Sequence, residues 1–185
     1  MALIPPFHLG WLNLWICTAL LYARPIVIAR LTGTDWERAR DQPEMSQRER
    51  VIYTLWIGAQ TALCVYAFFV PLALTSVWFP AGLILFAAGL AFSSLAIYTY
   101  QTAPRDAPIT LGLYRLSRNP GYFGAFLMYA GMGLMGAAWP ILALALVHFA
   151  LYQITATYEE RMCAESWPEM YVEYRQRTAK NFWFF

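Results

Sequence analysis

The chain has 185 residues, 59% of them hydrophobic and only 13% charged, with a formal net charge of +2. Soluble domains carry about 25% charged residues, so the balance argues against a water-soluble enzyme, and the net charge is too small for a nucleic-acid partner. Three scattered cysteines, Cys17, Cys64 and Cys163, have the spacing of neither a disulfide framework nor a metal site.

The opening "MALIPPFHLG" has no basic segment and no cleavage site, so no cleaved leader is expected there. An apolar run over roughly Pro6–Ile28 supplies a first membrane span, blurred at its end by "ARPIVIAR", where Arg24 must snorkel or face a polar cavity. Leu31–Arg50 reads as a mixed-charge polar loop. Ser46, with Glu49 three residues on, is the cap of the next helix. Val51–Pro104 and Asn119–Tyr158 contain no Lys, Arg, Asp or Glu. Their 54 and 40 residues each accommodate two helices of the roughly 20 residues that a bilayer requires, plus a turn. "TSVWFPAG" (Thr75–Gly82) and "GAAWP" (Gly136–Pro140) supply the turns, with Trp78 and Phe79 at interface depth and Pro80 opening a helix. The expectation is an all-α polytopic membrane protein of about five transmembrane helices. Two re-entering hairpins put the charged segments 24–50, 105–118 and 159–180 on one face, with all thirteen Lys and Arg. The positive-inside rule makes that face cytoplasmic and puts the N-terminus outside. No ionisable pathway crosses the apolar runs, which argues against an ion pump.

Polar groups collect at the cytoplasmic ends of spans four and five. Asp106 and Pro108 start a short interfacial helix, Pro108–Arg118, which presents Arg115 and Arg118 and stops before Pro120. Span four then carries Gly121, Gly124, Gly131, Gly133 and Gly136, a surface bare enough for close helix packing or for a flat ligand. Packing physics alone favours the first of these. His148, mid-way along span five, reads as a histidine hydrogen-bonded to a neighbouring helix. Glu159 and Glu160 follow the last uncharged residue; adjacent acids at a helix C-terminus oppose the macrodipole and call for a cation, with Arg118 the obvious partner and a bound ligand's ammonium another. Trp167, Tyr171 and Tyr174 lie on a C-terminal cytoplasmic amphipathic helix, the two tyrosines on one face.

"ITLGLYRLSRNPGYFG" (Ile109–Gly124) resembles the signature of the integral-membrane methyltransferases that include isoprenylcysteine carboxyl methyltransferase and phosphatidylethanolamine N-methyltransferase. The usual form is close to T-x-G-x-Y-x-x-x-R-H-P-x-Y-x-G, then a membrane hairpin, a Glu-Glu pair and a G-x-x-Y-x-x-Y tail. Thr110, Gly112, Tyr114, Arg118, Pro120, Tyr122 and Gly124 fall in register, as do Glu159, Glu160, Glu169, Tyr171 and Tyr174. The resemblance covers roughly the C-terminal 80 residues. It implies one domain over 1–185, with three N-terminal spans in 1–104 and a cofactor-binding half in 105–185.

It also implies S-adenosylmethionine as cofactor, held between the cytoplasmic ends of spans four and five, and no metal. Tyr114, Asn119, Tyr122 and Glu160 would contact its amino-acid and ribose parts, Gly124 would admit the adenine, and Tyr171 or Tyr174 would close the lid. Arg118 and Glu159 would orient a lipidic or amphipathic acceptor with a carboxylate, amine or thiol head. Asn119 stands where the usual form has histidine, and both side chains donate a hydrogen bond to a carboxylate. Asn-Pro and Tyr158–Glu160 resemble the phosphatidylethanolamine branch, whereas Arg118 fits the carboxyl-methylating branch. The rival readings are a nicotinamide-dependent, sterol-reductase-like enzyme, whose chains are much longer, and a non-catalytic membrane scaffold.

Overall fold

The computed structural model describes residues 4–5, 7–34 and 45–182. Its secondary structure is helical: α1 (Trp15–Thr32), α2 (Gln47–Ala67), α3 (Phe79–Thr102), α4 (Pro120–Met135), α5 (Trp139–Ser166) and α6 (Pro168–Arg177). Among the described residues the extended pairing is confined to one isolated bridge, Asn13 to Pro71.

Local signals set most helix starts. Ser46 and Glu49 form the full capping box of α2, each side chain bonding the other's backbone N–H. Proline stands in the first turn of α3, α4 and α5, where a missing N–H costs nothing. Between α4 and α5 the chain reverses at Ala137, which has a φ of 47°.

Two expected boundaries differ. The first helix begins at Trp15 rather than near Pro6. The preceding segment lies against the end of α2, with His8 N–H on Phe69 O and Leu14 N–H on Val70 O, and the Asn13 amide donates to Phe68 O at 2.7 Å. These long-range bonds replace the helical ladder. The helix expected over Pro108–Arg118 contracts to a 3-10 turn, Gly112–Arg115. Gly112 takes a left-handed φ of 55°, and a Cβ there would lie 2.8 Å from Thr99 Oγ1, so the chain cannot wind through it as a regular helix.

Helices α1, α3 and α5 are long and apolar enough to cross a membrane by length and composition. Helix α2 starts with a charged turn, and α4, at 16 residues, is shorter. Ile84, Leu95, Leu146 and Ile154 are exposed on the outer faces, as suits a lipid surround. The core is shared by Leu14, Leu63, Val70, Phe86, Met132 and Ile141. Arg24, within α1, turns inward and directs Nη1 to Met128 Sδ at 2.7 Å, so the residue expected to snorkel or face a polar cavity lies against a thioether.

The tightest packing is between α3 and α4, which run antiparallel. A Cβ on Gly82, Gly89, Gly124 or Gly131 would come within 2.6–2.7 Å of a backbone nitrogen in the opposing helix. This is the small-residue mode of helix association in membranes. Helix α5, with 28 residues, is about 42 Å long at 1.5 Å per residue and exceeds the roughly 30 Å hydrocarbon layer. Its last turns therefore stand beyond the apolar zone beside the start of α4.

Candidate active site

At this polar end, Arg118 and Asn119, which lead into α4, and Tyr122, in its first turn, meet the overhanging turns of α5. Arg118 meets Glu160 in a two-pronged pair, Nε to Oε1 and Nη2 to Oε2, both 3.2 Å. The two side chains are only 7% and 11% exposed, so little water screens them. Asn119 Nδ2 donates to Glu160 Oε1 at 2.8 Å. Tyr122 donates its hydroxyl to Glu159 Oε1 at 2.6 Å. Each of the adjacent carboxylates thus has its own partner, Glu160 from the segment entering α4 and Glu159 from the first turn of α4. Helix α5 continues to Ser166, so the acids do not end the helix and the macrodipole argument for a cation loses force. The cation is nevertheless Arg118.

Arg118 also donates through Nη1 to the Thr178 carbonyl. That bond belongs to a strap, Thr178–Phe182, that follows α6 and crosses the polar ends of α4 and α5. Arg118 N–H bonds Ala179 O at 2.9 Å, and Ser117 Oγ donates to Lys180 O at 3.0 Å. Lys180 Nζ reaches Gln153 O at 2.8 Å and Thr157 Oγ1 at 2.9 Å. Burial pushes the Lys180 pKa down, against the opposing pull of Glu160. Phe182 packs on Phe92 and Phe123, with centroids 5.3 and 5.0 Å away.

Helix α6 closes on the 3-10 turn. Tyr171 and Tyr174 are buried with their rings edge-on, and Tyr174 donates its hydroxyl to the Tyr114 carbonyl at 2.6 Å. Burial raises both phenol pKa values above their ordinary range. Tyr174→Phe is expected to lower stability by about 0.5–1.5 kcal/mol and to speed proteolysis of the C-terminal helix, read by thermal unfolding and limited trypsin digestion.

The structure therefore brings Arg118, Asn119, Tyr122, Glu159 and Glu160 together, with Tyr114, Tyr171 and Tyr174 beside them. Gly124 is not among them. Its bare side faces α3, where a Cβ would lie 2.7 Å from Ser93 N and 3.0 Å from Gly89 O. Its missing side chain makes room for a helix, not for an adenine. His148 also departs from expectation: its Nε2 is buried without a hydrogen-bond partner, and the ring stands between Trp56 and Tyr129.

A second ionic contact, not apparent in the sequence, joins α2 to α5. Arg161 Nη1 lies 2.7 Å from Glu49 Oε1. The Arg161 hydrogen bonds and the Ser46 backbone N–H hold the Glu49 carboxyl down at about 2, from 4.5. A depressed folded-state pKa adds stability above the unfolded value that is lost as pH falls towards the folded one. Arg161→Ala is expected to lower the melting temperature slightly above about pH 4.5, and to flatten by that same small amount the decline between about pH 4.5 and pH 2; the effect is small because the arginine is exposed. A melting series against pH checks this.

No curated protein matches the chain significantly. The sequence profile of the phospholipid methyltransferase family matches residues 75–169, just over half of the chain, from the turn before α3 through α5 into the start of α6. That interval contains Arg118, Asn119, Tyr122 and both carboxylates, and the chain belongs to this family of membrane methyltransferases, which act on lipid-like substrates.

Proposed function

We propose that the protein transfers a methyl group from S-adenosylmethionine to a lipidic or amphipathic acceptor at the cytoplasmic membrane face. In this reading α1–α5 are five spans, the N-terminus is outside, and 105–185 is the cofactor-binding half. The observation that carries it is the hydrogen-bonded, partly buried set of Arg118, Asn119, Tyr122, Glu159 and Glu160 at the polar end. S-adenosylmethionine presents a carboxylate, an ammonium and a sulfonium, and this set offers a guanidinium, two carboxylates, an amide and a phenol. The donor chemistry fits. When bound, the cofactor supplies an electrophilic methyl group.

The protein's own contribution is to hold, orient and keep dry. Tyr114, Asn119, Tyr122 and Glu160 hold the cofactor, and Tyr171 and Tyr174 cover it. Arg118 fixes Glu160 and, with Glu159, orients the acceptor. The Tyr122 hydroxyl keeps the Glu159 carboxylate in place. Methyl displacement needs little acid–base work, which accords with a site that lacks a nucleophile–histidine pair.

Calorimetry on the detergent-solubilised protein tests the cofactor directly. Saturable binding of S-adenosylmethionine and none of a nicotinamide dinucleotide is the expected result; the reverse would overturn it. Label transfer from methyl-labelled S-adenosylmethionine into a membrane lipid extract then tests the reaction.

A further inference from the structure

Below the carboxylates, between α2, α4 and α5, lies a second polar group. Trp56, His148 and Tyr152 are 8%, 2% and 1% exposed. Yet Trp56 Nε1, His148 Nε2 and the Tyr152 hydroxyl all lack a hydrogen-bond partner. They share one aromatic cluster: Trp56 lies 5.4 Å from His148 and 5.7 Å from Tyr122, and Tyr122 stacks on Tyr152 at 4.1 Å. A buried polar atom left unpaired bears the full cost of its desolvation, and a bilayer offers no water to relieve it. Three together point to a partner from outside the chain.

The depth suggests which part of a lipid that partner is. Tyr152 precedes Glu159 by seven residues and His148 precedes it by eleven, about 10 and 16 Å along the helix at 1.5 Å per residue. The headgroup layer is about 5–8 Å deep on each side of the bilayer. A lipid whose head lies at the carboxylates therefore has its chain linkage beside Tyr152. The chemistry narrows it further. Trp56 Nε1 only donates, and tyrosine and histidine can donate too. A phosphate among neutral side chains would be a buried, unpaired charge. An ammonium would meet an N–H donor and a Tyr152 face already covered by Tyr122. An uncharged acceptor suits all three groups.

We propose that Trp56, His148 and Tyr152 form a subsite for the ester carbonyl of the acceptor lipid, beneath the head to be methylated. The inference rests on the proposed methyl transfer only for where the head lies. Native mass spectrometry of the purified full chain tests it without turnover, comparing ester-linked dimyristoyl phosphatidylethanolamine with its diether analogue, whose oxygens accept weakly. Wild type is expected to retain the ester lipid about tenfold better, equivalent to about 1.4 kcal/mol. Tyr152→Phe and Trp56→Phe should erase that preference. Because the deleted atoms have no partner in the protein, Tyr152→Phe should leave the melting temperature unchanged or higher. Equal retention of the two lipids by wild type, or an intact ester preference in both variants, would overturn the subsite. Labelled methyl transfer separates the two readings: its absence beside a clear ester preference removes the reaction and leaves the subsite, and the converse removes only the subsite.

Discussion

Replacing Glu160 by alanine is expected to lower the melting temperature by about 6–20 °C and to abolish S-adenosylmethionine binding. Glu160 accepts from Arg118 twice and from Asn119 once, with its partners largely sealed from water. Its removal leaves a guanidinium buried without a counter-charge, a loss of about 3–5 kcal/mol for pairs of this kind, and each kcal/mol shifts melting by about 2–4 °C at this chain length. Stability and binding are separable here. Replacing a buried ion pair by apolar residues of similar volume is often neutral. The double variant Arg118→Met, Glu160→Leu should therefore melt above Glu160→Ala, though below wild type because the Thr178 carbonyl and the Asn119 amide lose a partner, yet bind no cofactor by calorimetry. A stable double variant that still binds S-adenosylmethionine would show that the pair is structural only.

The second large effect is expected far from the carboxylates. A Cβ at Gly131 would lie 2.6 Å from Phe86 N and 2.7 Å from Gly82 O, both backbone atoms that no rotamer change can move aside. Gly131→Ala should force α3 and α4 apart, destabilising by about 1–3 kcal/mol or more. Gly58, on α2, is the control. A Cβ there meets nothing within 4 Å, so Gly58→Ala should be neutral or gain up to about 1 kcal/mol from helix propensity. Thermal unfolding in one detergent compares the two; similar melting temperatures would mean that the α3–α4 contact yields easily.

What the sequence revealed follows from the range over which each signal acts. The Ser46–Glu49 cap and the prolines opening α3 and α5 are short-range signals, and they stand where they were expected. Arg118 and Glu160 were legible because charges are scarce in so apolar a chain and their partners few. The start of α1 was not, because it depends on Asn13 reaching Phe68, 55 residues away. The strap escaped notice for the same reason: "TAKNF" has no periodicity, and its partners Ser117 and Gln153 lie 63 and 27 residues off. The glycines of span four were visible, but their meaning depended on a second row. Gly82 and Gly89 repeat the seven-residue spacing of Gly124 and Gly131, and the two rows face each other.

That double row divides the protein mechanically. Where two backbones touch, no side chain is left to rotate or slide, so α3 and α4 move as one stiff post. Helix α2 meets α5 differently, through aromatic rings and, at the polar end, the Glu49–Arg161 pair in contact with water. Rings can change rotamer and an exposed ion pair can part at little expense. On the proposed function, the α2–α5 seam is the side expected to part for a lipid entering from the bilayer, while the post stays fixed.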